Sequence, residues 1–281
     1  MGTKLTLGMR PDRLALLAGA FLALLAGILA LPRVEGALFR QSIAEGNATL
    51  RLVSEGLTAT IGRYDPLPGL IAERPILTEL LKDPANAGLL PFVNEQLRQT
   101  ALSVGASDVY LMDATGMTIA ASSYRNARSF VGRSFHFRPY FQDAMQGRPA
   151  RFHALGTTSG ERGFFFAAPV IDQSEIIGVV AVKFTVDRVE EAWAELGPDV
   201  LLADGNGVIF ISSRPDWRFR TLAPLPPGVR DQIAKTRQFP LEYLTEVEAS
   251  AQLLGQGVVT LRIGGTGAKD TFLARSMPGG L

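Results

Sequence analysis

The chain contains no cysteine. That absence removes disulfides, thiolate zinc sites, iron–sulfur ligation and any cysteine nucleophile. Histidine is almost as scarce, with only His136 and His153. A histidine metal site or a serine triad would have to use one of these two, and no carboxylate stands at ligand spacing from either. No bound metal is therefore expected. Charge of one sign is not in excess either. Lys+Arg number 28 and Asp+Glu 27 over 281 residues, a net charge of +1. A balance so close to neutral leaves no electrostatic footprint for nucleic acid. The nucleophile elbow G-x-S-x-G, the zinc motif H-E-x-x-H and the phosphate loop are all missing. No catalytic residue is assigned.

What is present is core material. Hydrophobic residues make up 47% and charged residues 20%, the balance of a folded chain and not of a disordered one. There is one long apolar run, from Leu14 to Leu31, 18 residues without a charge. As a helix it spans about 27 Å, close to a bilayer's hydrocarbon core. Lys4, Arg10 and Arg13 precede it against Asp12 alone. The positive-inside bias puts residues 1–13 in the cytoplasm and residues 33–281 outside it. A cleaved signal peptide has a shorter apolar stretch and a small-x-small cleavage site. Pro32-Arg33 follows here instead, so the reading is an uncleaved transmembrane helix over 14–31 in the inner membrane.

Residues 34–63 carry no proline, and Leu50, Val53, Leu57 and Ile61 form one apolar stripe at helical spacing. Pro66 and Pro68 are expected to break the chain. A second helix is predicted from Pro75 to the Asp83-Pro84 stop. A third, starting near Pro91, is expected to bury Val93, Leu97 and Ala101 and to end at Gly105. These segments make a helical stalk with N-terminal helices over 34–105.

Strands and turns follow, with an internal repeat. Residues 108–122 read DVYLMDATGMTIAAS and residues 199–213 read DVLLADGNGVIFISS. Asp108/Asp199, Val109/Val200, Leu111/Leu202, Asp113/Asp204, Gly116/Gly207 and Ser122/Ser213 are identical. Each copy reads as a strand, an Asp-x-x-Gly turn and a second strand. A duplicated module is the better account, giving two sheet-based lobes over 106–190 and 191–281. The fold class is α+β: two sheet-based lobes on a long N-terminal helix behind one membrane span.

The stretch from Phe135 to Phe184 carries the chemistry. It interleaves Phe135, Phe137, Tyr140 and Phe141 with Arg138, then gives the hydroxyl-rich loop Thr157-Thr158-Ser159 between Gly156 and Gly160, then Lys183 inside the apolar strand VVAVKF. A guanidinium grips a carboxylate through two parallel hydrogen bonds. The loop reads as a ligand cap or as an ordinary polar hairpin. Lys183 faces either solvent or a buried partner. Taken together, Arg138, the loop and Lys183 suggest a small cavity for an anion with two acidic ends.

At FRPYFQDAMQG (137–147), HALGTTSGERGFFFAAPV (153–170) and GVVAVKF (178–184) the sequence resembles the periplasmic sensor region of bacterial C4-dicarboxylate sensor histidine kinases, the Dct type with its double Cache, PAS-like lobes. That resemblance implies that Arg138 grips one carboxylate and that Lys183 pairs with a carboxylate. It implies that Thr157, Thr158 and Ser159 hold the ligand through side-chain and main-chain groups. Tyr140, Phe135 and Phe137 would wall its carbon chain. His136 is a departure from the family's pattern, and it too is expected to line the pocket. The implied ligand is succinate, malate or fumarate, bound in the first lobe to control a two-component phosphorelay. The same fold with another organic acid or an amino acid, feeding a chemoreceptor, is the competing expectation. Such kinases continue into a phosphoacceptor helix and an ATP domain. Neither histidine here sits in an H-[ED]-x-x-x-P pattern, and the chain ends at MPGGL. No cofactor is therefore expected in this chain, with ATP confined to any kinase domain beyond it. A homodimer, a response regulator and a dicarboxylate transporter are the implied partners, the last two only through remote parts.

Overall fold

The computed structural model describes residues 11–254, 258–264 and 270–274. The chain divides into two units, 1–52 and 53–281. The first holds the N-terminal part of helix α1 (Pro11–Tyr64). The predicted membrane span at 14–31 falls within α1, but most of its side chains lie outside the described residues. Among the described residues no helix is long and apolar enough to cross a membrane. The span read from the sequence is therefore not borne out by the structure. MPGGL at 277–281 also lies outside the described residues.

In the second unit the stripe of α1 does what its spacing predicts. Leu57, Ile61 and Tyr64 are buried, each contributing about 1.5–3 kcal/mol of apolar transfer. The Tyr64 ring stacks on Phe184 at 4.9 Å, and its hydroxyl donates to the Gly105 carbonyl at 2.9 Å. Pro66 and Pro68 do end α1, but they do not leave an irregular break. A short helix α2 (Leu67–Ala72) follows, with proline in its first turn. There the missing N–H would have no intrahelical partner anyway. Next come α3 (Pro75–Lys82) and α4 (Leu89–Val104), the latter ended by Gly105 at φ +70°.

A five-stranded antiparallel sheet occupies the middle of the chain. Its strands are β1 (Asp108–Asp113), β2 (Thr118–Ala121), β3 (Ala150–Leu155), β4 (Arg162–Asp172) and β5 (Glu175–Thr185), in the order β2-β1-β5-β4-β3. Period-two alternation divides its faces. Val109, Leu111, Phe164, Phe166, Val180 and Val182 join the core beneath α1–α4. Tyr110, Met112, Phe165, Ala167, Val179 and Ala181 face the other way, under the short helix α5 (Pro139–Ala144) and the segment before it. Both faces are covered, so Lys183 lies on a buried face and not on a solvated one.

The rest is α6 (Asp187–Ala194), the hairpin of β6 (Leu201–Ala203) and β7 (Ile209–Ser212), helix α7 (Pro227–Thr236), and the sheet of β8 (Glu248–Leu254), β9 (Val258–Gly264) and β10 (Asp270–Ala274). Strand β8 has no counterpart in the sequence reading, because EASAQLL lacks the β-branched residues that mark the strands around it.

The sequence repeat is a repeat of hydrogen bonds. Asp113 Oδ1 accepts from the amides of Thr115 and Met117, at 2.8 and 3.0 Å. Asp204 Oδ1 accepts from Asn206 and Val208, both at 2.9 Å. Ser122 Oγ accepts from the Val109 amide, and Ser213 Oγ from Val200, each at 2.9 Å. Gly116 and Gly207 both hold left-handed backbone, at φ +83° and +79°. At Gly116 a Cβ would also lie 2.7 Å from the His136 amide nitrogen. The identical residues are those the turn geometry needs.

Candidate ligand-binding site

Register places the site. One row across the sheet runs Asp108 on β1, Lys183 on β5, Phe165 on β4 and Phe152 on β3. Directly paired residues point to one face, so these four side chains share the face covered by α5. Pro139 starts α5 and leaves Arg138 extended at its N-terminal end. The Arg138 guanidinium carbon lies 5.9 Å from the Phe165 ring centre and 5.7 Å from that of Phe152. The Tyr140 ring stacks on Phe165 at 5.4 Å, nearly parallel. Arg138 and Lys183 therefore both adjoin Phe165 on one buried face.

Both cations are almost fully enclosed, Arg138 at 1% and Lys183 at 0% exposure. Their partners differ in kind. Arg138 Nη1 donates to the carbonyls of Thr236 and Arg237, at 3.1 and 3.0 Å, and Nη2 to that of Leu155 at 2.8 Å. Among the described residues no carboxylate ion-pairs with it. Two of its acceptors end α7, where a helix dipole partly compensates the charge. Burial pulls the Arg138 pKa down from its ordinary value, but a guanidinium stays charged. Three of its five donor directions are used.

Lys183 Nζ donates to Ser159 Oγ at 2.7 Å and to Glu161 Oε2 at 2.8 Å. It thereby holds the turn that joins β3 to β4. Arg128 Nη1 steadies the same turn from outside, donating to the Ser159 carbonyl at 2.7 Å. A Cβ on Gly156 would lie 2.5 Å from Ser159 Oγ, so a larger residue there would push that hydroxyl aside. Beside Lys183, burial pushes the Asp108 carboxyl up to about 6, with the ammonium pulling the other way.

Two hydroxyls complete this face. Tyr110 and Tyr140 meet oxygen to oxygen at 2.8 Å. Burial raises both, Tyr140 to about 12, so both are neutral at ordinary pH. One O–H is used between them, which leaves the other to donate elsewhere.

Of the residues singled out from sequence, Arg138, Tyr140, Ser159 and Lys183 come together around Phe165. Phe135 is buried against Tyr110, with ring centres 5.6 Å apart. Phe137 lies under Arg138 and under Arg237, whose guanidinium carbon is 4.5 Å from its ring centre. Thr157 is exposed and Thr158 half-buried, both in the turn. His136 is exposed, its Nδ1 3.0 Å from Ser134 Oγ. Sequence reasoning missed Tyr110 and Asp108. Strand alternation could have found both, since each lies at even spacing from the other on β1 and faces the α5 side.

No protein-family model matches the chain. The C4-dicarboxylate transport sensor protein DctB of Pseudomonas aeruginosa is 40% identical over 205 residues, 73% of this chain and 34% of that protein. The protein of the same name from Rhizobium meliloti is 32% identical over 182 residues, 65% of this chain and 29% of that protein. The chain thus spans about a third of the length of the curated relatives it matches. The crystal structure of the V. cholerae histidine kinase DctB sensor domain superposes with a TM-score of 0.76 at 30% identity, covering 84% of this chain and 91% of that one. A mixed α/β fold shared over nine-tenths of a sensor domain, at that identity, places this chain in the DctB family of sensor domains.

Proposed function

We propose that this chain is the extracytoplasmic sensor region of a two-component histidine kinase and binds a C4-dicarboxylate such as succinate, malate or fumarate in its first lobe. The observation that carries this reading is Arg138. A guanidinium enclosed at 1% exposure, with carbonyl partners and no described carboxylate, is costly unless an anion completes its shell. Lys183, on the far side of Phe165, supplies a second cation for the other end of a short diacid. The Tyr110–Tyr140 pair offers a neutral donor, and the 156–160 turn offers hydroxyls and amides. Each charge-assisted hydrogen bond contributes about 1.5–3 kcal/mol. Two such clusters less ordering costs correspond to roughly micromolar affinity.

The mechanism follows from what Arg138 already holds. A carboxylate arriving at its free donors would share one guanidinium with the carbonyls of Thr236 and Arg237 at the end of α7. Ligand binding and the seating of α7 on β3 are then linked through one side chain. Closure of the 156–160 turn over the ligand biases α1 and the kinase beyond it, with coupling of about 1–3 kcal/mol. The kinase domain, its ATP, the membrane span at 14–31, the periplasmic location of residues 33–281 and a homodimer all belong to this reading. Calorimetry with succinate and malate tests it. Binding that is lost in Arg138→Ala supports the site, and tight binding retained by that variant refutes it.

A further inference from the structure

The Lys183 ammonium already has a carboxylate on it. Glu161 Oε2 sits 2.8 Å from Nζ, while the Glu161 side chain is 50% exposed and that of Lys183 is 0% exposed. A half-exposed acid thus reaches inward from the turn to a fully enclosed base. The turn itself is built to present it: Glu161 follows Gly160 at φ +72°, and its amide is 3.3 Å from Ser159 Oγ. Its carbonyl accepts from the Gly156 amide at 2.9 Å, which fixes the backbone while the carboxylate remains at the solvent side. Asp108, the other acid beside Lys183, lies at the register position across from it and is buried. Only Glu161 of the two can leave without disturbing the sheet.

We infer that Glu161 is an internal stand-in for one carboxylate of the ligand, and that a diacid must displace it from Lys183 to bind. The inference rests on the reading of this face as a dicarboxylate site and adds the residue that sets its affinity. An ammonium enclosed beside apolar rings needs a counter-ion, and Glu161 supplies one until a ligand carboxylate takes its place. Displacement costs little, because the freed Glu161 carboxylate passes into water. The apparent affinity is lowered by the fraction of molecules in which Lys183 is open. Displacement also frees the Glu161 side chain from Lys183, so occupancy of the site removes one of the two bonds by which Lys183 holds the 156–161 turn.

The test is calorimetry of succinate binding to the full chain and to Glu161→Gln and Glu161→Ala. Gln keeps the shape and removes the charge, and the site of change is exposed, so both variants should fold. The expected result is binding about threefold to tenfold tighter in both variants, with unchanged stoichiometry. Wild-type binding with equal or weaker binding in both variants overturns the inference and leaves the dicarboxylate reading intact. Succinate, malate and fumarate binding to none of the three proteins sinks the underlying reading, and the inference with it.

Discussion

The Arg138 guanidinium donates to the Arg237 carbonyl across 3.0 Å, although the two residues lie 99 positions apart in the chain. One side chain thereby ties the start of α5 to the end of α7, and through the Leu155 carbonyl it also ties in the last residue of β3. Arg138→Ala removes the donor to three carbonyls at once. We expect a loss of about 2–4 kcal/mol in unfolding free energy, read by denaturant titration. The succinate-induced melting shift should vanish as well. Unchanged stability would mean that the three hydrogen bonds contribute nothing net.

A second prediction concerns pH. The Asp108 carboxyl is raised to about 6 from its ordinary value of 3.8, chiefly by burial, against the pull of Lys183 and of a hydrogen bond from Ser123. A group whose folded pKa lies above its unfolded one binds more protons when folded. Stability therefore falls as pH rises from about 4 to about 6, by at most about 3 kcal/mol. Asp108→Asn should flatten that slope in denaturant titrations at pH 4, 5 and 6. A slope identical in both proteins would count against the assignment.

The Arg162–Glu190 pair is buried, and Glu190 also accepts from Arg218 Nη2 at 2.7 Å and from the Ser212 amide at 2.9 Å. Arg162 in turn reaches the Phe210 carbonyl at 2.9 Å. Glu190 is thus the shared anion of two arginines between β4 and β7. Breaking a buried pair by removing one partner costs about 3–5 kcal/mol. Glu190→Gln should lower stability by roughly that amount in a thermal melt. A change of under about 1 kcal/mol would show that the arginines find other partners.

The duplicated hairpins make a paired prediction. Ser122→Ala removes the acceptor for the Val109 amide in β1, and Ser213→Ala that for the Val200 amide just before β6. The Val109 bond is buried and the Val200 bond partly buried. The first variant should cost about 1–2 kcal/mol and the second about half that. Equal effects, measured by chemical denaturation, would argue that exposure does not govern this bond.

Much of this architecture was legible in the residues, and the exceptions have physical causes. Leu57 and Ile61 announced the buried stripe of α1, and Gly105 the end of α4. The Asp, Gly and Ser of the repeat announced two turns because each makes a hydrogen bond or holds a φ that few other residues can. Pro68 misled, because a proline excluded from helix interiors is welcome in a first turn. Strand β8 was invisible, since its pairing with β9 and not its own residues makes it a strand. At the site, residue types identified Arg138 and Lys183, but not their partners. Nothing in the sequence shows that Arg138 reaches the carbonyls of α7, because those acceptors are main-chain atoms that every residue has. Glu161 carries no motif in the sequence, and the structure places it on an ammonium of the chain itself.

The central claim is that two buried cations flanking Phe165 take the two ends of a short diacid. Calorimetric titration of succinate into the wild-type chain and into Lys183→Met tests it most directly, with circular dichroism to verify the fold of the variant. We predict roughly micromolar binding by the wild type and none by a folded Lys183→Met. Succinate bound as tightly by that variant as by the wild type would contradict the account.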